Sequence, residues 1–430
     1  MRVLVVGASG FIGSAVVAAL CRSGVETRCV VRNVEPFRRR FPETDARALD
    51  LTSADALSAD RWAVLLNGID AVVNVAGVLQ PRRAREAWAV HRDAPDALFG
   101  ACESKEIRRV VHVSAVGIED TETVYARSKR AGEESLTARD LNWTVLRPAV
   151  VVGDGSHGGS SLLRALAVMP LVTPVIGDGT TPMDVIHKDD LASGIVNLLR
   201  SGAGIRAVLE PAGPGRLSLA EAVTAYRNWF GLRPRPTLGV PNWLATAVAR
   251  FGDATQMHPM TSTALAQFRA RLTGDAATFA EMAGVRPVSL ANALSARPCE
   301  SQDLWHARLF LLRPLVRLGL ALLWLVSGLV GVFSDPALYA PLLGPLADTP
   351  GRAMAIGVLA AAIDLAIALA LVLGWRLKAM AWVQIAAISA YTLGLSALAP
   401  AMWGDFLGGL LKNLPVLILV LVHRVLEEER

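Results

Sequence analysis

The sequence predicts an α/β domain with a doubly wound parallel sheet, followed by an all-α four-helix transmembrane bundle. The first observation is the start of the chain, where the apolar run Met1–Val6 stops at Gly7, and Gly10 and Gly13 follow at intervals of three. A small, aliphatic stretch comes next, so the order is strand, glycine turn and helix. The second observation is that the mean hydropathy is high, at +0.40, and that the apolar residues responsible for it are concentrated after Leu309. A length of 430 residues allows two or three domains.

Each glycine of the first turn has an expected role in binding a dinucleotide. Gly7 permits a sharp exit from the strand, Gly10 lets the backbone approach a pyrophosphate, and Gly13 lets the helix pack closely on the strand. The helix N-terminus adds unpaired N–H groups and the positive end of its dipole. The other residues of this turn that we expect to contact the cofactor are Ser9, Phe11 and Ile12.

The ends of the second and third predicted strands bear on the choice of cofactor. Val25–Val31 reads as the second strand and is followed by Arg32. An acid at this point would accept from a free 2′-hydroxyl, whereas an arginine pairs with a 2′-phosphate. NADP is therefore expected, with NAD, or the use of either cofactor, as the alternative. After a third strand over Arg47–Leu49, Asp50 is expected either to accept from the adenine amino group or to cap a helix. Leu51 would lie beside the adenine.

The next strand, Ala71–Asn74, ends in the small residues Ala76 and Gly77. A small-residue exit leaves room for a nucleotide over the carboxyl ends of the strands, where open α/β sheets bind ligands. Both residues are therefore predicted to contact the cofactor.

Three residues farther along predict hydride-transfer chemistry. Ser114 ends the strand that begins at Arg109, and Tyr125 and Lys129 are one helical turn apart on one face. A neighbouring ammonium favours the phenolate and would lower the pKa of the tyrosine. Such a tyrosine can exchange a proton with a carbonyl or alcohol oxygen, and the serine can donate a hydrogen bond to the same oxygen. Taken alone, the Tyr–Lys spacing is also that of an exposed pair on a helix.

The chain resembles the extended or atypical branch of the short-chain dehydrogenases/reductases over about residues 1–294. The motifs that carry this resemblance are Gly7–Gly13, Asn74–Gly77, Ser114, Tyr125 with Lys129, Leu146–Gly153, Ile176–Gly179 and Val185–Leu191. The resemblance implies an NAD(P)-binding Rossmann, epimerase-like domain in which Lys129 also bonds the nicotinamide ribose. Residues 153–294 would form most of the substrate-binding part, and no motif there indicates a substrate.

Other polar residues of this region have structural interpretations. Asp189 and Asp190 are expected to cap the helix that starts at Leu191, and His187 is expected to be buried and hydrogen-bonded. His157 receives no role. We expect no metal site, and the absence of a long Lys/Arg block argues against a nucleic-acid partner. Four widely spaced cysteines indicate a reducing compartment, and the glycines interrupt the first apolar run, so it is not expected to be a signal peptide.

Beyond a polar linker at residues 295–306, a membrane domain is predicted at 307–430. Its four apolar runs, each expected to form a transmembrane helix, are Leu318–Phe333, Ala353–Leu373, Ala379–Trp403 and Phe406–Val422. From about Leu304 to Glu428 the chain resembles the DoxX-like four-helix membrane family, which implies no catalytic residue. Asp364 is expected to pair with Lys412, with proton or quinone handling as the alternative.

The distribution of basic residues predicts an orientation. The positions on the expected inner side are Arg308, Arg313, Arg317, Arg376, Lys378, Arg424 and Arg430. By the positive-inside rule, both termini and the nucleotide domain face the cytoplasm, in a multi-pass protein of the cell inner membrane.

The sequence therefore predicts a membrane-anchored, NADPH-dependent reductase of a carbonyl group, acting on a lipid or quinone-like small molecule. An epimerase or dehydratase is the alternative within the enzymes. A redox sensor or assembly factor with structural NADP(H) is the alternative outside them, and a quinone-linked redox module is a third. The oligomeric state is not indicated by the sequence.

Overall fold

The structure is a computed structural model that describes residues 1–257, 259–406 and 408–428. The chain forms two compact units. The first comprises Met1–Gly252 and His258–Leu304, and the second comprises Asp253–Met257 and Trp305–Arg430.

A seven-stranded parallel sheet forms the centre of the first unit. Its strands are β1 (Arg2–Val6), β2 (Glu26–Val31), β3 (Asp45–Ala48), β4 (Ala71–Asn74), β5 (Arg109–Val113), β6 (Asn142–Leu146) and β11 (Ala207–Leu209), with β7 to β10 defined below. The spatial order is β11-β6-β5-β4-β1-β2-β3, and every neighbouring pair is parallel. The strand order reverses between β1 and β4, which is where ligands bind in sheets of this class.

Three two-stranded sheets lie outside the central one. Their strands are β7 (Val150–Val152), β8 (Thr173–Ile176), β9 (Pro182–Met183), β10 (Val185–His187), β12 (Leu217–Ser218) and β13 (Thr237–Val240). β7 pairs with β10 and β8 with β13 in parallel, and β9 pairs with β12 antiparallel.

Helices cover both faces of the central sheet. The helices that lie wholly or mainly in the first unit are α1 (Phe11–Arg22), α2 (Val34–Arg40), α3 (Ala59–Leu65), α4 (Ala84–Trp88), α5 (Ala94–Ser104), α6 (Val124–Thr137), α7 (Gly159–Ala167), α8 (Lys188–Ser201), α9 (Leu219–Trp229), α10 (Asn242–Thr255), α11 (Ser262–Arg269), α12 (Ala276–Ala283) and α13 (Leu290–Ser295). One buried cluster joins alternate strand residues to α1, α8 and α12, and a second joins the other face to α3 and α5. The near-continuous Val/Leu runs of β1 and β4 follow from burial on both faces. The predicted doubly wound α/β fold is confirmed.

The second unit is helical. Its helices are α14 (Ser301–Phe333), α15 (Pro336–Leu343), α16 (Pro350–Val372), α17 (Leu377–Leu398) and α18 (Asn413–Leu426). Among the described residues, α14, α16 and α17 are long and apolar enough to cross a membrane. The fourth predicted span differs, because only its second half forms an α-helix, of 14 residues, after a short 3₁₀ turn at Leu410–Lys412. Gly408, at a φ of +73°, interrupts the run, and Leu407 lies outside the described residues.

The predicted linker at residues 295–306 is largely helical. Ser295 ends α13, and α14 begins at Ser301. Asp303 is buried and accepts from Arg297 at 3.0 Å, and its carboxylate lies 3.5 Å from Arg164 Nη1. The start of α14 therefore belongs to the packed first unit.

Candidate active site

Two positions of the turn after β1 accept only glycine. Gly7 has a φ of +82°, and a Cβ there would lie 2.8 Å from backbone atoms of Ala76. A Cβ on Gly13 would lie 2.1 Å from the carbonyl oxygen of Gly7, so α1 packs directly against the turn. Gly10 is the residue before α1 and has no side chain with which to cap the first N–H groups of this helix. These open N–H groups at the carboxyl end of β1 fit a dinucleotide pyrophosphate.

Arg32 and Asp50 follow neighbouring strands at the same edge. Arg32 is exposed directly after β2, and Asp50 lies two residues after β3. Asp50 Oδ1 accepts from the N–H of Thr52 at 2.9 Å and from its hydroxyl at 2.8 Å. These bonds, led by the N–H and helped by the Arg32 charge, lower the pKa of Asp50. Asp50 therefore closes a local turn. The alternative that Asp50 caps a helix is wrong, because the residue at the N-cap of the next helix is Ser53.

The segment that follows β4 is held by Asn74, which contacts both Ala76 in that segment and His112 on β5. Its Oδ1 accepts from the N–H of Ala76 at 3.2 Å, and its Nδ2 lies 3.1 Å from Nδ1 of His112 on β5. A Cβ on Gly77 would lie 3.3 Å from Lys129 Nζ. The small residues therefore bring the β4 exit against the lysine.

Ser114 follows β5 and is held by its backbone, because its N–H donates to the carbonyl of Leu146 at 2.6 Å. Its Oγ is buried and has no hydrogen-bond partner in the part of the chain that the structure describes. A buried hydroxyl without a partner costs free energy, about 1–3 kcal/mol, unless a ligand oxygen or water completes it. This geometry fits a serine that donates to a substrate oxygen.

Tyr125 and Lys129 lie on α6, which starts where the Thr123 hydroxyl accepts from the N–H of Ala126. Both side chains are buried. Lys129 Nζ donates to the carbonyls of Val113 at 3.0 Å and Ala76 at 3.3 Å, so the lysine joins the ends of β4 and β5. The carbonyl of Val113 belongs to the residue before Ser114. The structure thus brings the predicted catalytic residues to one edge of the sheet.

The protonation states are set mainly by burial. Burial, and secondarily the Glu133 carboxylate, raises the pKa of Tyr125 above its usual range. Burial lowers the pKa of Lys129 to about 8, against an opposing effect of Glu133. The expectation that the ammonium lowers the pKa of the tyrosine is not met, because burial dominates and the ammonium donates to carbonyls. A tyrosine that stays protonated at neutral pH is suited to donate a proton.

His91 is a site residue that the sequence analysis missed. It lies in a π-helical turn at Ala89–Asp93, accepts from the N–H of Val78 at 2.9 Å, and packs edge-on against the Tyr125 ring with 5.4 Å between centroids. Its Nδ1 lies 2.8 Å from the hydroxyl of Ser128. Burial lowers the pKa of His91 to about 2, so the ring is neutral. No short motif marks such a residue, because its role depends on a helix bulge.

Lys188 and His157 also adjoin the glycine turn. The His157 ring stacks on Phe11 at 5.7 Å between centroids, and Lys188 Nζ lies 5.5 Å from the Phe11 centroid. Neither residue has a role predicted from the sequence. Both are now placed beside a residue predicted to contact the cofactor.

The predicted caps of α8 are corrected by the structure. His187 precedes α8, and its Nδ1 accepts from the N–H of Asp189 at 3.4 Å. Asp189 and Asp190 lie in the first turn, where a negative charge favours the helix dipole. Asp190 also accepts from the N–H of Val288 at 2.9 Å. As expected, His187 makes a structural hydrogen bond, and its side chain is largely buried.

An apolar cavity of about 430 Å³ lies in the substrate half of the first unit. Its walls come from α7, β8, β13, α10 and α11, together with Leu79. Leu79 also packs against the cluster that contains Tyr125. The Gln267 amide lines the cavity, its Nε2 donates to the carbonyl of Val116 at 2.8 Å, and its buried Oε1 has no partner among the described residues. The cavity can therefore take an apolar group beside the site.

In the second unit, Asp364 does not form the predicted ion pair. Its carboxylate accepts from Ser327 Oγ at 2.6 Å and from Tyr391 Oη at 2.9 Å, and Lys412 is exposed. Two hydroxyl donors on α14 and α17 are closer to the carboxylate than the lysine stem of the last run.

Arg317 is also a structural residue rather than an exposed one. It is buried, and its guanidinium donates to the carbonyls of Leu371 at 2.7 Å, Val372 at 2.9 Å and Thr255. The first two carbonyls belong to the last turn of α16, and that of Leu371 also accepts from the N–H of Gly374 at 3.2 Å.

Comparison with known proteins agrees with this division. Residues 3–208 match the NAD dependent epimerase/dehydratase family, and residues 321–421 match the DoxX-like family. A ceramide reductase of Caulobacter vibrioides is 32% identical over 201 residues, which are 46% of this chain and 61% of that protein. A protein of Dictyostelium discoideum named NADH dehydrogenase [ubiquinone] 1 alpha subcomplex subunit 9 is 26% identical over 211 residues, 49% of this chain and 58% of that protein. The chain thus spans about three fifths of these relatives.

Solved structures show the same fold. MoeE5 in complex with UDP-glucose and NAD is 23% identical, has a TM-score of 0.51, and the match covers 72% of this chain and 99% of that one. UDP-glucuronic acid 4-epimerase from Bacillus cereus in complex with NAD is 17% identical, with a TM-score of 0.53 and coverage of 72% and 97%.

Sheet order, glycine turn and family match point to the same assignment. The first unit is a Rossmann domain that matches the NAD dependent epimerase/dehydratase family, an enzyme family, over residues 3–208. The second unit matches the DoxX-like family over residues 321–421 and has three apolar helices of membrane-spanning length among the described residues.

Proposed function

We propose that this chain is a membrane-anchored reductase that converts the carbonyl group of an apolar substrate to an alcohol. Bound NADPH would supply the hydride. Ser114 Oγ donates a hydrogen bond to the substrate oxygen, and Tyr125 donates the proton that the oxygen takes up. Lys129 bonds the nicotinamide ribose, and its positive charge stabilises the phenolate left on Tyr125. The observation that carries this proposal is the buried hydroxyl of Ser114, which has no hydrogen-bond partner among the described residues and lies beside a lysine that joins the ends of β4 and β5.

The direction of the reaction is supported by the tyrosine. A phenol with a raised pKa keeps its proton at neutral pH and serves better as an acid than as a base. Reduction of a carbonyl needs an acid at this position. Oxidation of an alcohol needs a base.

The cofactor is inferred to be NADP(H) rather than NAD(H). Arg32 is exposed directly after β2, and its charge reaches Asp50 at the neighbouring strand end. A guanidinium at this place is suited to a 2′-phosphate. The glycine cradle, Ala76 and Gly77 would hold the rest of the nucleotide, with Ser9, Ile12 and Leu51 beside it.

An apolar substrate is supported by the cavity beside Leu79 and by the membrane-type helices of the same chain. The relative of Caulobacter vibrioides is named for the reduction of a lipid. We infer a lipid or quinone-like carbonyl compound that reaches the site from a bilayer. The basic residues near the ends of the apolar helices favour an inner-membrane protein with both termini in the cytoplasm.

The test is the activity of variants of the full chain on a panel of long-chain ketones, with NADPH. Tyr125→Phe is expected to lower kcat by a factor of about 10² to 10⁴ and to leave NADPH affinity unchanged. Lys129→Ala should lose both activity and affinity. Tyr226→Phe, which removes another buried phenol of the same unit, is the control that should stay active. A Tyr125→Phe protein with full turnover would overturn the proposal.

Isomerisation or dehydration is the second candidate, because the matching family is named for epimerases and dehydratases. These reactions regenerate the cofactor, so they consume no NADPH. Stoichiometric oxidation of NADPH with alcohol formation supports reduction, whereas product formation without net oxidation supports an epimerase or dehydratase.

A further candidate is a redox sensor or assembly factor with a structural cofactor. It is favoured by the relative named as a subunit of NADH dehydrogenase. Tight NADP(H) binding without turnover on any member of the panel would support it.

A further inference from the structure

Helix α10 has two apolar faces. Ala245 and Ala249 line the cavity of the first unit. On the other side Trp243 is 72% exposed and Leu244 is 39% exposed, with Ala247 exposed one turn after Trp243. A helix whose outer face exposes a tryptophan and aliphatic side chains leaves apolar area in contact with water, which marks an interaction surface.

Two arginines border this outer face. Arg250 and Arg269 line a shallow groove of about 460 Å³ with Asn242, Trp243 and Thr246. Arg269 is oriented by Asn242 and Thr246, since its Nη2 lies 3.3 Å from Asn242 Oδ1 and from Thr246 Oγ1. Arg250 is exposed on the same face as Trp243. Two guanidinium groups beside an exposed indole form a surface with both charge and apolar area.

An anionic phospholipid bilayer matches both the apolar area and the positive charge of this surface. An indole prefers the headgroup level of a bilayer, and arginines beside it pair with lipid phosphates. Helices that lie in the membrane interface combine these same features. The chain also contains three described helices long and apolar enough to cross a membrane, and the last residues of α10, from Asp253 onward, belong to the unit that holds them.

We propose that the outer face of α10 docks on the surface of an anionic bilayer, with Trp243 at headgroup level and Arg250 and Arg269 on lipid phosphates. The inner face of the docked helix forms a wall of the apolar cavity. This docking surface does not depend on the reaction that the site performs.

The experiment uses the full chain in nanodiscs of phosphatidylcholine, with or without 30% phosphatidylglycerol. The probe is the quenching of tryptophan fluorescence by lipids brominated near the headgroup, and the contribution of Trp243 is the difference from Trp243→Phe. We expect quenching of Trp243 that increases with phosphatidylglycerol and decreases at high salt. Arg250→Glu with Arg269→Glu should lower the equilibrium constant for docking at least about fivefold for each arginine, since each basic residue contributes roughly 1 kcal/mol.

The matched control is Arg38→Glu with Arg39→Glu, which makes the same charge change on the exposed face of α2 and should leave the quenching unchanged. No quenching of Trp243 in either nanodisc, or equal loss in both double variants, would overturn the proposal. A competition with inorganic phosphate tests whether the groove binds free phosphate instead of lipid. If phosphate at millimolar concentration abolishes the effect of phosphatidylglycerol, the groove is a site for free phosphate and the bilayer proposal is wrong.

Discussion

Lys129 shows how one buried charge links the fold to the proposed chemistry. Its ammonium has carbonyl partners at 3.0 and 3.3 Å, which orient it without neutralising it. Burial disfavours the charged form, so the pKa falls to about 8 from an ordinary value near 10.5. Because the folded state releases this proton more readily than the unfolded state, the cost of burying the charge is fully present below pH 8. Stability gains from this group only as the pH rises between about 8 and 10.5.

The same pKa predicts the pH dependence of turnover. We expect kcat/KM to fall as the pH rises through about 8, since Lys129 loses the charge that holds the ribose and stabilises the phenolate. Tyr125 does not explain such a fall, because its raised pKa keeps it protonated over this range. The measurement is a pH–rate profile of the full chain and of Lys129→Arg, whose guanidinium stays charged. A wild-type profile that is flat to pH 9.5 would contradict the assignment.

Arg32 carries the prediction of cofactor choice. A contact between its guanidinium and a 2′-phosphate contributes about 1.5–3 kcal/mol, so Arg32→Ala should lower the preference for NADPH over NADH about ten- to a hundredfold. Arg39→Ala, on the exposed face of α2, is the control for the loss of one nearby positive charge. Titration of both cofactors gives the two affinities. An unchanged ratio in Arg32→Ala would show that another residue selects the cofactor.

At the scale of elements, the strands and the glycine turn could be predicted because local constraints decide them. A Cβ on Gly13 would lie 2.1 Å from the carbonyl oxygen of Gly7, so only glycine fits there. The spacing of the two glycines is therefore a signal that can be read from the sequence. The fates of Asp364 and Arg317 could not be predicted in this way. Their partners are hydroxyls and helix-end carbonyls, which every helical sequence offers, and only the packed structure decides which are near. The place of His91 in the site likewise depends on a π-helical turn that no periodicity reveals.

Arg317 gives a prediction for helix packing. Arg317→Met removes the donor to the carbonyls of Leu371, Val372 and Thr255. The Leu371 carbonyl keeps the N–H of Gly374, whereas a buried carbonyl left without a partner costs about 1–3 kcal/mol. We expect a clear fall in the thermal unfolding temperature of the full chain in detergent. Arg308→Met, at an exposed position of the same helix, is the matched control and should unfold like the wild type. Equal unfolding temperatures for Arg317→Met and wild type would show that the carbonyls find other donors.

At the scale of the whole molecule, the chain combines a nucleotide-binding unit with a helical unit that holds its polar groups inside. Asp364, Ser327 and Tyr391 satisfy one another, as do Trp324 and Gln384 at 3.0 Å. Satisfied polar groups are what a bilayer demands of the helices that cross it. In the first unit, the buried hydroxyl of Ser114 and the buried amide oxygen of Gln267 have no hydrogen-bond partner within the described chain, and in the second unit the ring nitrogens of His423 also have none there. Of these atoms, the Ser114 hydroxyl and the Gln267 oxygen lie at the candidate site and its apolar cavity, where a substrate is expected.

Membrane topology is the last prediction. Three described helices have spanning length, and α18 covers about 21 Å at 1.5 Å per residue. With the 3₁₀ turn that precedes it, α18 approaches the roughly 30 Å of a hydrocarbon core, so we expect a fourth crossing and a cytoplasmic C-terminal end. Arg376 before α17, Lys378 in its first turn and Arg424 on α18 would then lie on the same side as Arg308. Alkaline phosphatase fused after Glu428 should be inactive, and a green fluorescent protein there should fluoresce. A phosphatase fused after Trp403 should be active. Active phosphatase after Glu428 would mean three crossings and an external C-terminal end.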